Sequence, residues 1–101
     1  MIHGFTDHLL NKAHIAKKYA EAGYDVVGLD LKGFGRSEGY RCYIKRYEDL
    51  INEHLLFEKA TEKHYKEKLG FNIKSIPIFV SGLSMGGGIA MQLAIRDPER
   101  Y

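Results

Sequence analysis

The sequence has no tryptophan, one cysteine and two prolines, and its 15 Lys+Arg nearly cancel 13 Asp+Glu, leaving a formal net charge of +2. Each shortage excludes something. The lone Cys42 rules out an intrachain disulfide and a cysteine-based metal centre, and it agrees with a reducing, cytoplasmic setting. So small a net charge gives no ground for nucleic acid or a membrane surface as partner. No apolar run approaches the roughly 20 residues that span a bilayer, and no signal peptide opens the chain. With 45 % hydrophobic and 28 % charged residues, collagen-like, low-complexity and disordered classes are also excluded. The expectation is one domain at most, 1–101.

What is present alternates between helix and strand. Leu10, Ala13, Ala16 and Ala20 recur at helical spacing within 7–22, with Lys12, Lys17, Lys18 and Glu21 facing away and Gly23 as a left-handed cap. Residues 25–30 form a short β-branched run without polar alternation, as a strand covered on both faces does. A glycine-rich loop covers 32–40. A long helix is predicted from about 44 to 69, with Tyr47, Leu50, Ile51 and Leu55 on one side and Gly70 at its end. Its second half is a mixed-sign charge run, read as a solvated face rather than a binding face. A second buried-type strand spans 76–81, where Pro77 is tolerated near the start. A last helix, 85–96, buries Ile89, Leu93 and Ala94 and stops at Asp97-Pro98. This order predicts an α/β fold with parallel strands and right-handed crossover helices, its sheet incomplete.

The chemistry is concentrated in one stretch, where the strand 76–81 runs into Gly82-Leu83-Ser84-Met85-Gly86 and straight into a helix. A buried strand, Gly-x-Ser-x-Gly and a helix are the context of a nucleophile elbow. The serine there is held on a strained turn that lifts its hydroxyl clear of the sheet. Gly82 and Gly86 flank it because a side chain at either place collides with neighbouring backbone. The turn also aims the helix N-terminus and the Met85 amide at the point where negative charge develops. The plainer reading is an ordinary strand–helix turn. A phosphate-binding loop fails because Gly88 and Ile89 stand where Lys and Ser/Thr belong. At Gly33-Phe34-Gly35 a dinucleotide fingerprint fails because its third glycine is Glu38.

A second piece is His3-Gly4-Phe5 near the start. With it the chain resembles the α/β-hydrolase superfamily, in the group of monoacylglycerol lipase-like hydrolases and S33-type serine aminopeptidases. The resemblance continues through 23–30, Gly33-Phe34-Gly35-Arg36-Ser37-Glu38-Gly39, the elbow at 82–87 and the end at 96–101. It implies a partial α/β-hydrolase fold, from the exit of the third strand to the helix after the elbow. It also implies Ser84 as nucleophile, with the backbone amides of Phe5 and Met85 forming the oxyanion hole. His3 would then shape the oxyanion loop and not act as base, and Asp30 corresponds to the structural aspartate before the glycine loop. His8, His14, His54 and His64 are expected on helices, mostly solvated, and Arg36 and Glu38 are placed to pair locally. Neither a metal nor a cofactor is implied, and no protein partner.

In this superfamily the acid and the histidine follow the serine along the chain. The 17 residues after Ser84 contain no histidine, and without an imidazole a serine hydroxyl is a weak nucleophile near neutral pH. The chain alone is therefore expected to be inactive. The implied activity is hydrolysis of carboxylic esters, most plausibly monoacylglycerols or lysophospholipid-like lipids. The alternatives are a serine peptidase of the same fold, and a non-catalytic truncated paralogue. The substrate expected is a small lipid or ester, in a cytoplasmic protein with peripheral membrane association left open. Two strands with open edges and faces predict poor folding in isolation. Calorimetry of the chain alone should show a broad, aggregating transition, and a sharp cooperative one from a soluble monomer contradicts this.

Overall fold

A computed structural model describes residues 1–101. Its three α-helices are α1 (Ala13–Glu21), α2 (Tyr47–Leu69) and α3 (Met85–Arg96). One 3-10 turn, Leu9–Lys12, leads into α1 and another, Ile73–Ser75, follows α2.

The bounds of α3 coincide with the prediction, because both of its stops are local. Ser84 leaves helical geometry before it, and Asp97-Pro98 ends it. The helix α2 starts three residues later than predicted and ends as expected at Gly70, whose φ of 65° is the left-handed cap. Glu48 and Asp49 in its first turn and Lys66 and Lys68 in its last complement the helix dipole. The predicted helix 7–22 is shortened at its start. There the Leu9 amide donates to the Asp30 carboxylate (2.8 Å), and Asp7 takes the His8 amide (2.8 Å) and Lys12 (2.6 Å). Side-chain acceptors thus compete for amides that would otherwise enter a helix ladder.

The predicted parallel sheet does not form as a ladder. Strand pairing is confined to a single parallel bridge, Ile2 to Gly82. Around it, Ile2 N–H donates to Ser81 O (2.8 Å), Leu83 N–H to Ile2 O (3.2 Å) and the Met1 ammonium to Val27 O (2.8 Å). The segment 1–3 therefore lies between 27–31 and 81–83, in the order parallel crossovers require. The reason no ladder develops is length. The backbone bonds between these segments are confined to those of Met1, Ile2 and Leu83, too short a run for a ladder.

The core gathers where these segments meet the helices: Ile2, Leu31 and Phe34, with Leu50 and Ile51 of α2 and Ile89, Ala90 and Leu93 of α3. The two helices are also joined by Arg96, whose guanidinium grips the Glu48 carboxylate with two bonds of 2.6 and 2.7 Å. Only 13 of 101 residues are buried, too few to cover the remaining apolar surface. The helix α1 buries none of its residues, and Leu10, expected on its inner face, is exposed. Among the helices and turns, α1 packs on the 3-10 turn before it. Tyr19, Tyr24 and Phe79 stack edge to face on the same uncovered side.

The charged half of α2 is largely the expected solvated face, with Lys59, Lys63, Lys66, Glu67 and Lys68 exposed and Lys63 4.0 Å from Glu67, but Glu58 and Glu62 depart from it. Glu62 takes Arg100 (2.7 Å) and Lys74 (3.4 Å), while Glu58 accepts the Tyr101 hydroxyl and lies 3.4 Å from His54 Nε2. These contacts anchor the segment after α3. Burial pushes the Glu58 carboxyl up, but its bonds to His54 and Tyr101 outweigh that and hold it below its ordinary value. The Tyr101 phenol is pushed up by burial and by the same bond.

Candidate active site

Three short stretches converge at the start of α3. In the first, Ser84 has φ 54° and ψ −119°, a conformation that few residues with side chains adopt and that costs of order 1–3 kcal/mol. The Gly86 amide donates to Leu83 O (2.9 Å) and the Gly88 amide to Ser84 O (3.1 Å), so the chain turns into helix within one residue of the serine. A Cβ on Gly82 would overlap the Gly86 carbonyl and lie 2.7 Å from Gly87 N. One on Gly86 would overlap Ile2 O and lie 2.5 Å from His3 O. The Ser84 side chain is exposed, and its hydroxyl caps no amide of α3.

The second stretch is His3-Gly4-Phe5, carried over the elbow by the bonds of Ile2 to Ser81 and Leu83. A Cβ on Gly4 would lie 3.3 Å from Leu83 O and 3.5 Å from Ser84 Cβ, so this loop rests directly on the serine. Thr6, at φ 60°, and the bond from Asp7 N–H to Gly4 O (3.3 Å) turn the chain away immediately afterwards. Neither the Phe5 nor the Met85 N–H donates to a backbone carbonyl of the chain. Both amides are thus free of backbone carbonyl partners, at the two stretches that meet around Ser84.

The third stretch is 30–37, the support beneath. The Asp30 carboxylate takes the Leu9 amide (2.8 Å) and the Arg36 amide (2.9 Å), and its carbonyl accepts the Ser37 hydroxyl. Burial pushes the Asp30 carboxyl up, and the two amide bonds more than offset this, so it lies below its ordinary value. Phe34 packs at 5.4 Å from the His3 ring and edge-on to Phe5 at 5.7 Å.

His3 is fully buried, with both ring nitrogens engaged. Nε2 accepts the Leu31 amide (3.0 Å), so Nδ1 carries the proton and donates to Gly4 O (2.8 Å). A histidine held in this way braces the loop that presents the Phe5 amide. His3→Ala leaves the Leu31 amide unpaired and takes from Gly4 O one of its two donors, and should cost about 2–3 kcal/mol. Hydrogen exchange should show the Leu31 amide losing protection.

Two local expectations are corrected. Arg36 and Glu38 do not pair: the Arg36 backbone amide goes to Asp30, Glu38 O accepts the Gly33 amide, and Arg41 spans the loop to Gly35 O (2.8 Å). His54 is buried, not solvated, with Nδ1 lacking a partner. Its position was legible, since 50, 51 and 54 share one helix face. His14 and His64 are exposed as expected, and His8 is half-buried ahead of the 3-10 turn. A concavity of about 480 Å³ between Lys74, Pro77, Phe79, Asp97 and Tyr101 does not include the elbow. No three His, Cys, Asp or Glu side chains converge as a metal site.

Several carboxylates sit below their ordinary values, which gives a signed pH dependence. Glu48 is held down by Arg96, Asp49 by Arg46, and Asp30 and Glu58 as described. A lowered folded-state value stabilises above the unfolded value and is lost as pH falls through the folded one. Stability should therefore drop below the ordinary carboxyl values of 3.8 and 4.5 and change little from there to neutrality. Tyrosine near-ultraviolet ellipticity titrated from neutral to strongly acidic pH checks this.

The sequence profile of the family described as "Serine aminopeptidase, S33" matches residues 1–101. Among curated proteins, a "Monoacylglycerol lipase" of Mycolicibacterium smegmatis is 30 % identical over 102 residues, covering 100 % of this chain and 33 % of the relative. A "Caffeoylshikimate esterase" of Arabidopsis thaliana is 31 % identical, covering 100 % of this chain and 29 % of the relative. A "Thermostable monoacylglycerol lipase" of Bacillus sp. (strain H-257) is 32 % identical, with 98 % and 35 % covered. The chain thus spans about a third of the length of these relatives. No solved structure matches it significantly.

Proposed function

Since the chain belongs to the serine aminopeptidase S33 family of α/β-hydrolases, we propose that it carries the nucleophile half of a serine hydrolase acting on carboxylic esters of lipids, foremost monoacylglycerols. The observation that carries this reading is the strained, exposed Ser84 ahead of α3 with the Gly4 loop packed against it; the free Phe5 and Met85 amides are the candidate oxyanion donors. The Ser84 hydroxyl attacks the ester carbonyl and its proton passes to a base. The carbonyl oxygen, now negative, is held by the two amides. Collapse expels the glycerol and leaves the acyl group on Ser84 Oγ, from which water releases the fatty acid. His3 is committed at both nitrogens, so the base and its acid are sought in sequence corresponding to the other two thirds of the relatives.

The lipid substrate is favoured by the names of the Mycolicibacterium and Bacillus relatives. The Arabidopsis relative and the family description make a different ester, or a peptide bond, the second reading. Labelling the natural source with a fluorophosphonate and finding the probe on the peptide that contains Ser84 tests the nucleophile. Release of fatty acid from monoacylglycerol by the labelled species, measured against an aminoacyl amide, separates the two readings.

A further inference from the structure

The net charge conceals an uneven distribution. Residues 36–46 hold Arg36, Arg41, Lys45 and Arg46 against the single acid Glu38, a local charge of +3, so the other 90 residues together carry −1. Arg46 is paired with Asp49, but Arg36 and Lys45 enter none of the chain's ion pairs. Between these charges stand Tyr40 and Tyr43, 86 % and 61 % exposed, with rings edge to face at 6.5 Å.

The display is rigid. Gly33 N–H donates to Glu38 O (2.8 Å) and Gly33 O accepts the Cys42 amide (3.0 Å), and Tyr43 N–H closes on Tyr40 O (3.2 Å). Arg41 stitches the loop further through Gly35 O and Ser37 O. The packing admits only glycine at 33, where φ is 83° and a Cβ would lie 2.6 Å from Tyr40 O. The backbone that carries the two exposed tyrosines is thus tied down by bonds within the loop. The loop also adjoins the elbow: Phe34 at its base packs on Phe5, and a Cβ on Gly88 in the first turn of α3 would lie 2.9 Å from the Tyr47 hydroxyl.

We propose that the loop 36–46 docks the protein on an anionic bilayer, with Tyr40 and Tyr43 at headgroup level and Arg36, Arg41 and Lys45 against lipid phosphates and carboxylates. Tyrosine rings favour the membrane–water interface because one end is apolar and the other hydrogen-bonds. Basic side chains add attraction to anionic lipid that falls off within a Debye length. On the proposed lipid-ester activity this seats the rim of Ser84 on the surface that holds the substrate, but the docking itself does not depend on that activity.

The test is flotation of the natural protein that carries this sequence with vesicles of phosphatidylcholine alone or with about 30 mol % phosphatidylserine. Aggregate sediments in such a gradient and vesicle-bound chain rises. The expected result is flotation with the anionic vesicles only, lost between about 0.05 and about 0.5 M salt. Arg36→Gln with Lys45→Gln should weaken binding about 25-fold, roughly fivefold per charge, and Tyr40→Ser with Tyr43→Ser should weaken it several-fold at every salt concentration. Ser84→Ala should float as the unaltered chain does, which keeps this result separate from any failure of the hydrolase reading. Equal flotation with neutral vesicles, no flotation with anionic ones, or double variants that float like the unaltered chain would each overturn the proposal.

Discussion

Replacing Ser84 with alanine is expected to abolish fluorophosphonate labelling of the natural protein that carries this sequence and to lower its ester hydrolysis by at least about 10³-fold. The size of the effect follows from where the hydroxyl stands. It projects from a residue at φ 54° and ψ −119°, just ahead of α3, and on the proposed reading it is the atom that attacks the ester carbonyl. Alanine keeps the backbone strain and both amides but removes the oxygen that forms the acyl bond. The variant should fold as the parent does, since the hydroxyl caps no helix amide. Undiminished labelling of Ser84→Ala would move the nucleophile elsewhere and end the present reading.

Gly86→Ala should remove activity by a different route. The added Cβ would overlap Ile2 O and come within 2.5 Å of His3 O, both of them backbone atoms held by the pairing of 1–3 with 81–83. Neither can give way without withdrawing the His3-Gly4-Phe5 loop from the serine. A cost of about 3 kcal/mol or more is expected, at the upper end for a single methyl because relief requires the backbone to move. Gly88→Ala two residues on is the control. Its Cβ would meet only the Tyr47 hydroxyl at 2.9 Å, the movable end of a side chain, while alanine gains up to about 1 kcal/mol of helix propensity. Urea titrations and labelling of the two variants side by side should show loss for the first and near-parental behaviour for the second. Equal behaviour of both would mean that the elbow is not packed on the oxyanion loop as described.

The features legible in the sequence are those fixed over a few residues. The α3 bounds follow from Gly-x-Ser-x-Gly at one end and Asp97-Pro98 at the other, and Gly70 ends α2 because only a left-handed residue closes that turn without strain. The collision at Gly82, with Gly86 and Gly87, is equally local, whereas the one at Gly86 is with Ile2 and His3 at the far end of the chain. What the tertiary structure decided needed partners remote in sequence. The runs 25–30 and 76–81 have strand composition, yet a ladder needs repeated bonds to neighbouring backbone, and the structure makes a single parallel bridge, Ile2 to Gly82. The 7–22 periodicity marks an apolar face, but burial depends on what is packed opposite, and α1 buries none of its residues. His3 became a brace through Leu31, 28 residues away, and Glu58 and Glu62 became anchors through Tyr101 and Arg100. Helical bonds close within four residues and can be read from spacing, whereas sheet pairing and buried polar contacts are settled only when distant segments meet.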